Sequence, residues 1–457
     1  MHEQLPFHAG PLARSTLSHF HARWSSQFFH TLGTFGHPVH AWLAALWCLG
    51  CCGPAAGVEL LCLPLYGVLL GRLPFVRRSI RDAFLQPSML CILAWAAWSM
   101  ASLIWTRDRT DGLHEIEYMR WTPAILALWA VLDRRSMLIA AICVGFALAQ
   151  FAQLAEFFWL RQGFALFSHP QSPNPLARIS GWWHQPAVGG AMLVAAVGLH
   201  IGPALFGRGW QRGAGLVGSI ASIIGILASG TRGALVAAAV LVAIFVVAWL
   251  VIAMRASSRH PITILSLSLI LLLCIAGAVA SPLGTHLRER AAQASEQLSR
   301  AFRDRDYDSD MGGRVVAMKA ALDATKTHLI QGVGVGGFLC HTREYVEREQ
   351  LHIQSWRVDK LRTAHNTYLH ALATTGIIGL LLLLGTFVCA LWGASWELRH
   401  WGITALGRYA SAPLGALLAL GIMGCFETIY LNMSTAALAT TLVAMCNWHR
   451  FSKAIDP

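Results

Sequence analysis

Long apolar runs separated by short polar breaks fill the chain up to residue 280. One long polar stretch follows over 281–364, and apolar runs then resume to residue 449. The runs near 38–53, 55–71, 88–106, 119–132, 137–159, 185–206, 214–230, 233–254, 261–280, 366–393, 406–428 and 432–449 predict twelve membrane helices. Several are shorter than the roughly 20 residues a straight crossing needs. The run at 119–132 carries the weakest signal, and the pair at 38–71 also fits one re-entrant hairpin. The expected fold class is an all-α integral membrane protein of about twelve transmembrane helices with one large outer loop containing short helices.

Composition strengthens this reading. With 55% hydrophobic and 13% charged residues, the chain has more apolar surface than a soluble core of 457 residues would bury. Ten of the eleven cysteines fall in apolar runs and only Cys340 lies in the long loop, which argues against a disulfide framework. The first 37 residues are polar and His-rich and lack the pattern of a cleaved signal peptide.

The net charge of +12 would suggest nucleic acid, but its placement points to topology. With the N-terminus inside, the inner segments hold sixteen Lys and Arg, the short outer segments hold six, and the remaining thirteen of 35 sit in the long loop. That bias puts both termini inside and the loop outside, and removes nucleic acid as a partner. The expected division is 1–37 as cytoplasmic N-terminal segment, 38–280 as transmembrane helices 1–9, 281–364 as the large outer loop, 365–449 as transmembrane helices 10–12, and 450–457 as cytoplasmic tail.

Within the loop, 285–302 has the spacing of an amphipathic helix lying on the membrane surface. The acids of Arg303–Asp310 read as a solvated turn, since they lack the glycine and closing Glu of a calcium loop. No metal is expected. Gly332, Gly334, Gly336 and Gly337 read as a tight turn with close backbone packing, because an outer face offers no nucleotide to a phosphate loop.

Ionisable groups near the outer boundary are the chemical candidates, because each costs insertion energy. Arg232 stands in the break Ser229–Ala234, where glycines allow close backbone approach. Thr363 reads as an N-cap that sets His365 in the first turn of the tenth span, where the positive helix end keeps its imidazole neutral and able to accept a proton. His370, five residues on, falls off that face. Arg178, Trp182, Trp183 and His184 lie just before the sixth span, as belt anchors or as a sugar-stacking wall. Arg288, Arg290 and Arg314 are further loop cations. Glu427, at the outer end of the eleventh span, is a second candidate base or a partner for an Arg.

Thr231–Ala234, Gly332–Phe338 and the His-Asn-x-Tyr-Leu run from His365 to Gly379 together resemble the O-antigen ligase and polymerase superfamily (WaaL- and Wzy_C-type proteins). The resemblance covers roughly 175–395 and implies a GT-C-like fold in the bacterial inner membrane with a periplasmic active site. It also implies an inverting, metal-independent glycosyltransferase that uses no cofactor. The expected function is that of an O-antigen ligase, which moves a polysaccharide from undecaprenyl diphosphate to a sugar hydroxyl of lipid A-core and completes lipopolysaccharide. Donor, acceptor and membrane lipids are then the partners.

In this scheme His365 is the base, and Arg232 and Arg314, with Arg178 or Arg288, clamp the diphosphate. Trp182, His184, Asn366, Tyr368 and Glu427 are acceptor or supporting residues. An O-antigen polymerase and a protein O-oligosaccharyltransferase stay open as alternatives. Trp183-His184-Gln185-Pro186 faintly echoes the protein-glycosylating branch, although Ala187 replaces its Asn. A lipid-linked glycan transporter without chemistry is the reading from another class, opposed by the one-sided placement of the ionisable groups.

Overall fold

The structure, a computed structural model, describes residues 36–161, 179–183, 185–207, 209–255, 282–401 and 405–446. The expected span at 261–280, the cytoplasmic tail, Arg178, His184 and nearly all of the N-terminal segment lie outside the described residues. Among the described residues the chain is all-helical, apart from one isolated β-bridge between Asp306 and His352.

In chain order the helices before the polar loop are α1 (His37–Gly50), α2 (Ala55–Gly71), α3 (Leu73–Phe84), α4 (Pro87–Ser102), α5 (Arg109–Glu117), α6 (Ala124–Trp129), α7 (Arg135–Arg161), α8 (Pro186–Phe206), α9 (Trp210–Ser229) and α10 (Arg232–Arg255). The loop contributes α11 (Pro282–Arg303), α12 (Asp310–Thr327), α13 (Phe338–Arg348) and α14 (Ser355–Val358), and α15 (Thr367–Trp401), α16 (Ala405–Met423) and α17 (Met433–Cys446) close the chain. Five of these, α7 to α10 and α15, contain stretches long and apolar enough to cross a membrane, or six spans result if the bent pair α2–α3 counts as one.

Small residues set the centre of the bundle. Helix α8 is the most thoroughly buried of the five, and packs against α9, α10 and α16. A Cβ at Gly198 would collide with the Gly415 backbone, so α8 and α16 cross with their main chains in contact. Membrane helices associate through such dispersion contacts because lipid tails offer no hydrophobic drive between helices.

Side-chain contacts mark two polar ends of the bundle. At one end, His37 Nε2 lies 2.9 Å from Asp133, and the Arg72 guanidinium 2.8 Å from His40 Nδ1. There too Arg135 pairs with Glu397 at 2.6 Å, both buried. At the other end Arg120 pairs with Glu59 at 2.6 Å, and α17 begins beside it. The expected span at 119–132 connects the two ends but is not a regular helix. It consists of the 3-10 turn Tyr118–Trp121, the six-residue α6 and the 3-10 turn Leu132–Arg134. Pro123, lacking an N–H, prevents a continuous ladder, and most of the segment is buried.

Above the second end sits the polar layer. Helices α11 and α12 enclose a small core of Ala301, Tyr307, Val316, Ala317 and Leu361. The glycine turn clasps this layer to the membrane helices: Val333 N–H donates to Ala373 O at 2.9 Å and Gly334 N–H to Thr374 O at 2.9 Å. Gly332, Gly334 and Gly336 all have positive φ (70°, 85° and 77°), which only glycine adopts without strain. Helix α15 is broken where this loop meets it, at Gly376 (φ 68°, ψ −170°), and Ile377 N–H bonds out to Leu329 O at 2.8 Å instead of along the helix.

Candidate active site

The site forms where α15 starts and α16 ends. Asn366 caps α15, its Oδ1 accepting from the N–H groups of Tyr368 at 3.0 Å and Leu369 at 2.9 Å. This corrects the expected cap: Thr363 does not start the helix, and His365 stands one residue outside it with φ 50°. A non-glycine residue in the left-handed region costs of order 1 kcal/mol, and such strain gathers at functional positions.

Three contacts hold the last turn of α16 and the segment after it. Thr367 N–H donates to Gly424 O at 2.7 Å, Thr367 Oγ1 donates to Glu427 O at 2.8 Å, and Tyr368 OH donates to Gly421 O at 2.6 Å. Asn366 adds a bond from its amide to Cys425 O at 3.1 Å.

That frame sets Glu427 between His365 and Arg314. Its Oε1 lies 3.1 Å from His365 Nδ1 and its Oε2 3.3 Å from Arg314 Nη2, while Arg314 Nη1 donates to Phe426 O at 3.0 Å. Burial by itself would raise the Glu427 pKa. The hydrogen bond from His365, the charges of His365 and Arg314, and the Thr428 N–H outweigh burial and hold the carboxyl below its ordinary range. Glu427 is therefore a carboxylate at neutral pH. A carboxylate accepts from Nδ1, so the imidazole presents Nε2 as its free acceptor. The His365 side chain is 28% exposed, enough for a substrate to reach it.

Arg314 comes from the first turns of α12, which Ser309 caps through its Oγ to Gly312 N–H at 3.0 Å. Arg232 opens α10 beside the same segment: a Cβ at the adjacent Gly233 would stand 2.7 Å from Phe426 Cβ. Thr231 fixes this corner, donating from Oγ1 to Pro186 O at 2.8 Å. Parts of the chain far apart in sequence thus converge on residues 425–428, bringing His365 and Arg314 onto Glu427 and the start of α10 against Phe426.

Other expected site residues stand differently. Arg288 is exposed on α11. Trp182, half-buried, donates its indole N–H to Cys52 O at 3.2 Å, and Trp183 is buried in the bundle. Asn366 and Tyr368 spend their polar groups joining α15 to α16. Two acids of the charged turn share one arginine, Arg357 lying 2.8 Å from Asp308 and 3.2 Å from Asp310, while Asp306 faces His352 at 3.7 Å.

One contributor escaped the sequence reading, and another was set aside there. Thr367 looked like an ordinary helix residue, and its role depends on a segment 60 residues away. His370, fully buried, accepts from Ala364 N–H at 3.4 Å through Nδ1 and faces Glu115 at 3.7 Å through Nε2, bracing the residue before His365. Only the rarity of a His inside an apolar helix could have signalled it.

No curated protein matches the chain. Residues 217–384, which carry Arg232, Arg314 and His365, match the family model Wzy_C, described as O-antigen ligase, and that match supports a function of the ligase and polymerase superfamily for this chain.

Proposed function

We propose that the protein is an O-antigen ligase of the bacterial inner membrane, working on the periplasmic face. It transfers a polysaccharide from undecaprenyl diphosphate to a sugar hydroxyl of lipid A-core with inversion and without a metal. The observation that carries the reading is the Glu427 carboxylate held between His365 Nδ1 and Arg314, with Arg232 opening α10 alongside.

The chemistry follows from these groups. The acceptor hydroxyl attacks the anomeric carbon while its proton passes to His365 Nε2. The bond from that carbon to the phosphate oxygen breaks, and its electron pair leaves with the lipid diphosphate. A diphosphate needs no proton to depart, so the site requires a base and cations but no general acid. Glu427 stabilises the imidazolium as it forms and fixes the tautomer. A guanidinium has five donors, and the two Arg314 contacts leave the rest for phosphate oxygens beside Arg232.

The test is purified protein with a lipid-linked glycan and delipidated acceptor, read as released undecaprenyl diphosphate. His365→Gln should reduce release by at least about 10²-fold while leaving donor binding intact; normal release would remove the base. The electrophoretic pattern of lipopolysaccharide from a deletion strain separates the relatives in this superfamily. Loss of all long-chain material means ligase, and a core bearing a single repeat means polymerase.

A further inference from the structure

At the end remote from His365, α3 leaves α2 at 104°, and its composition settles what that bend is for. Helix α2 exposes Leu60, Leu63 and Leu70 along its length, as a helix against hydrocarbon does. Helix α3 carries Arg77, Arg78, Arg81 and Asp82 within 12 residues, too many charges to continue a span. It therefore lies along the membrane surface if α2 runs across it.

The corner is rigid. Arg72 is 1% exposed and donates to His40 at 2.8 Å and His37 at 3.5 Å, with Asp133 against His37. The inner face of α3, Val76, Ser79 and Ala83, is buried, and the helix packs against α6.

The outer arc alternates two chemistries. Arg77, Arg78 and Arg81 are exposed, and among the described residues none of them forms an ion pair. Leu73 at 45% and Phe84 at 40% exposure flank the Arg77–Arg81 row at its two ends. Apolar side chains beside arginines on one arc suit the boundary where acyl chains meet phosphate groups. Aromatic and aliphatic groups enter the hydrocarbon edge while the guanidiniums stay at headgroup depth.

We propose that α3 is a binding surface for anionic phospholipid headgroups, with Arg77, Arg78 and Arg81 as the recognising groups. A basic residue at an anionic surface contributes about a fivefold effect, so three amount to a preference on the order of a hundredfold over a zwitterionic lipid.

The experiment titrates the full-length protein in detergent with phosphatidylglycerol or phosphatidylcholine and counts bound lipid by native mass spectrometry. Wild type should prefer phosphatidylglycerol, less so as salt rises. The variant R77Q/R78Q/R81Q should fall to within about threefold of no preference, and R77K/R78K/R81K should keep most of it, which separates lost charge from lost packing. An undiminished preference in the glutamine variant overturns the proposal, as does a wild type without preference. Inorganic phosphate at equal concentration should not displace the lipid; displacement would assign the arginines to a free anion instead.

Discussion

Replacing Glu427 by Gln keeps the shape of the side chain and removes one hydrogen-bond acceptor. The carboxylate faces a donor on each oxygen, His365 Nδ1 at 3.1 Å and Arg314 Nη2 at 3.3 Å. An amide offers one acceptor and one donor, so it cannot satisfy both. If its oxygen stays with Arg314, its NH2 faces Nδ1 and moves the imidazole proton to Nε2, the atom that must receive the acceptor proton. If its oxygen turns to His365, an amide N–H faces the guanidinium at a cost of about 1–3 kcal/mol, and Arg314 swings from its place.

A guanidinium has only donors, whereas an imidazole can turn an acceptor nitrogen toward the amide by changing tautomer, so the first arrangement is expected. The base is then in the wrong tautomer, and kcat should fall by roughly 10²–10⁴, the range in which a general base contributes. The lower bound corresponds to about 2.7 kcal/mol of transition-state stabilisation. The assay is release of undecaprenyl diphosphate at saturating acceptor, with kcat and the donor KM measured separately beside a thermal unfolding curve. A kcat within about fivefold of wild type, in a folded protein, would show that the carboxylate does not set the imidazole and that His365 is not the base.

Three other outcomes follow. Arg232→Lys should lose at least about tenfold in kcat/KM for the donor, because a point charge cannot reproduce a planar fork on phosphate oxygens; turnover at the wild-type level would reduce Arg232 to an interfacial anchor. Gly336→Ala should lower the unfolding temperature, since φ 77° strains any L residue and the added Cβ would strike the Gly112 backbone. The cost is about 1–3 kcal/mol, and an unchanged curve would mean that the polar layer is not clasped there. The depressed Glu427 pKa makes its share of stability complete above the ordinary value of 4.5 and lost as pH falls through the lower folded value. Unfolding curves at descending pH should therefore lose an increment below about pH 4.5 that E427Q does not show, and identical acid slopes in both proteins would contradict it.

How far the sequence led depends on the distance over which each feature is determined. The apolar runs that became α7 to α10 and α15 are local, and hydropathy alone locates them within a few residues. The glycine turn was also legible, because positive φ is written into the residue type. The start of α15 was not. Thr363 and Asn366 are both good capping residues, and the modest preference for Asn over Thr does not decide between them. Asn366 prevails because its amide also reaches Cys425 O and Thr367 N–H reaches Gly424 O, carbonyls supplied by another helix.

The same limit explains the chemistry. Arg232, Arg314 and His365 stood out singly, each as a charge or imidazole near the outer boundary. Glu427 could be named as a partner for an arginine, yet nothing in the sequence said that it would join His365 across 62 positions and Arg314 across 113. Trp182 shows the same limit: an aromatic at the boundary reads as a belt anchor or a sugar wall, and nothing in the sequence gives its indole N–H to Cys52 O, 130 positions away. What made His365 a credible base from sequence was a helix dipole it turns out to stand just outside; what supports it now is a carboxylate at its Nδ1. The two arguments differ in kind, since the first would keep any imidazole neutral there, whereas the second fixes which nitrogen carries the proton and which receives one.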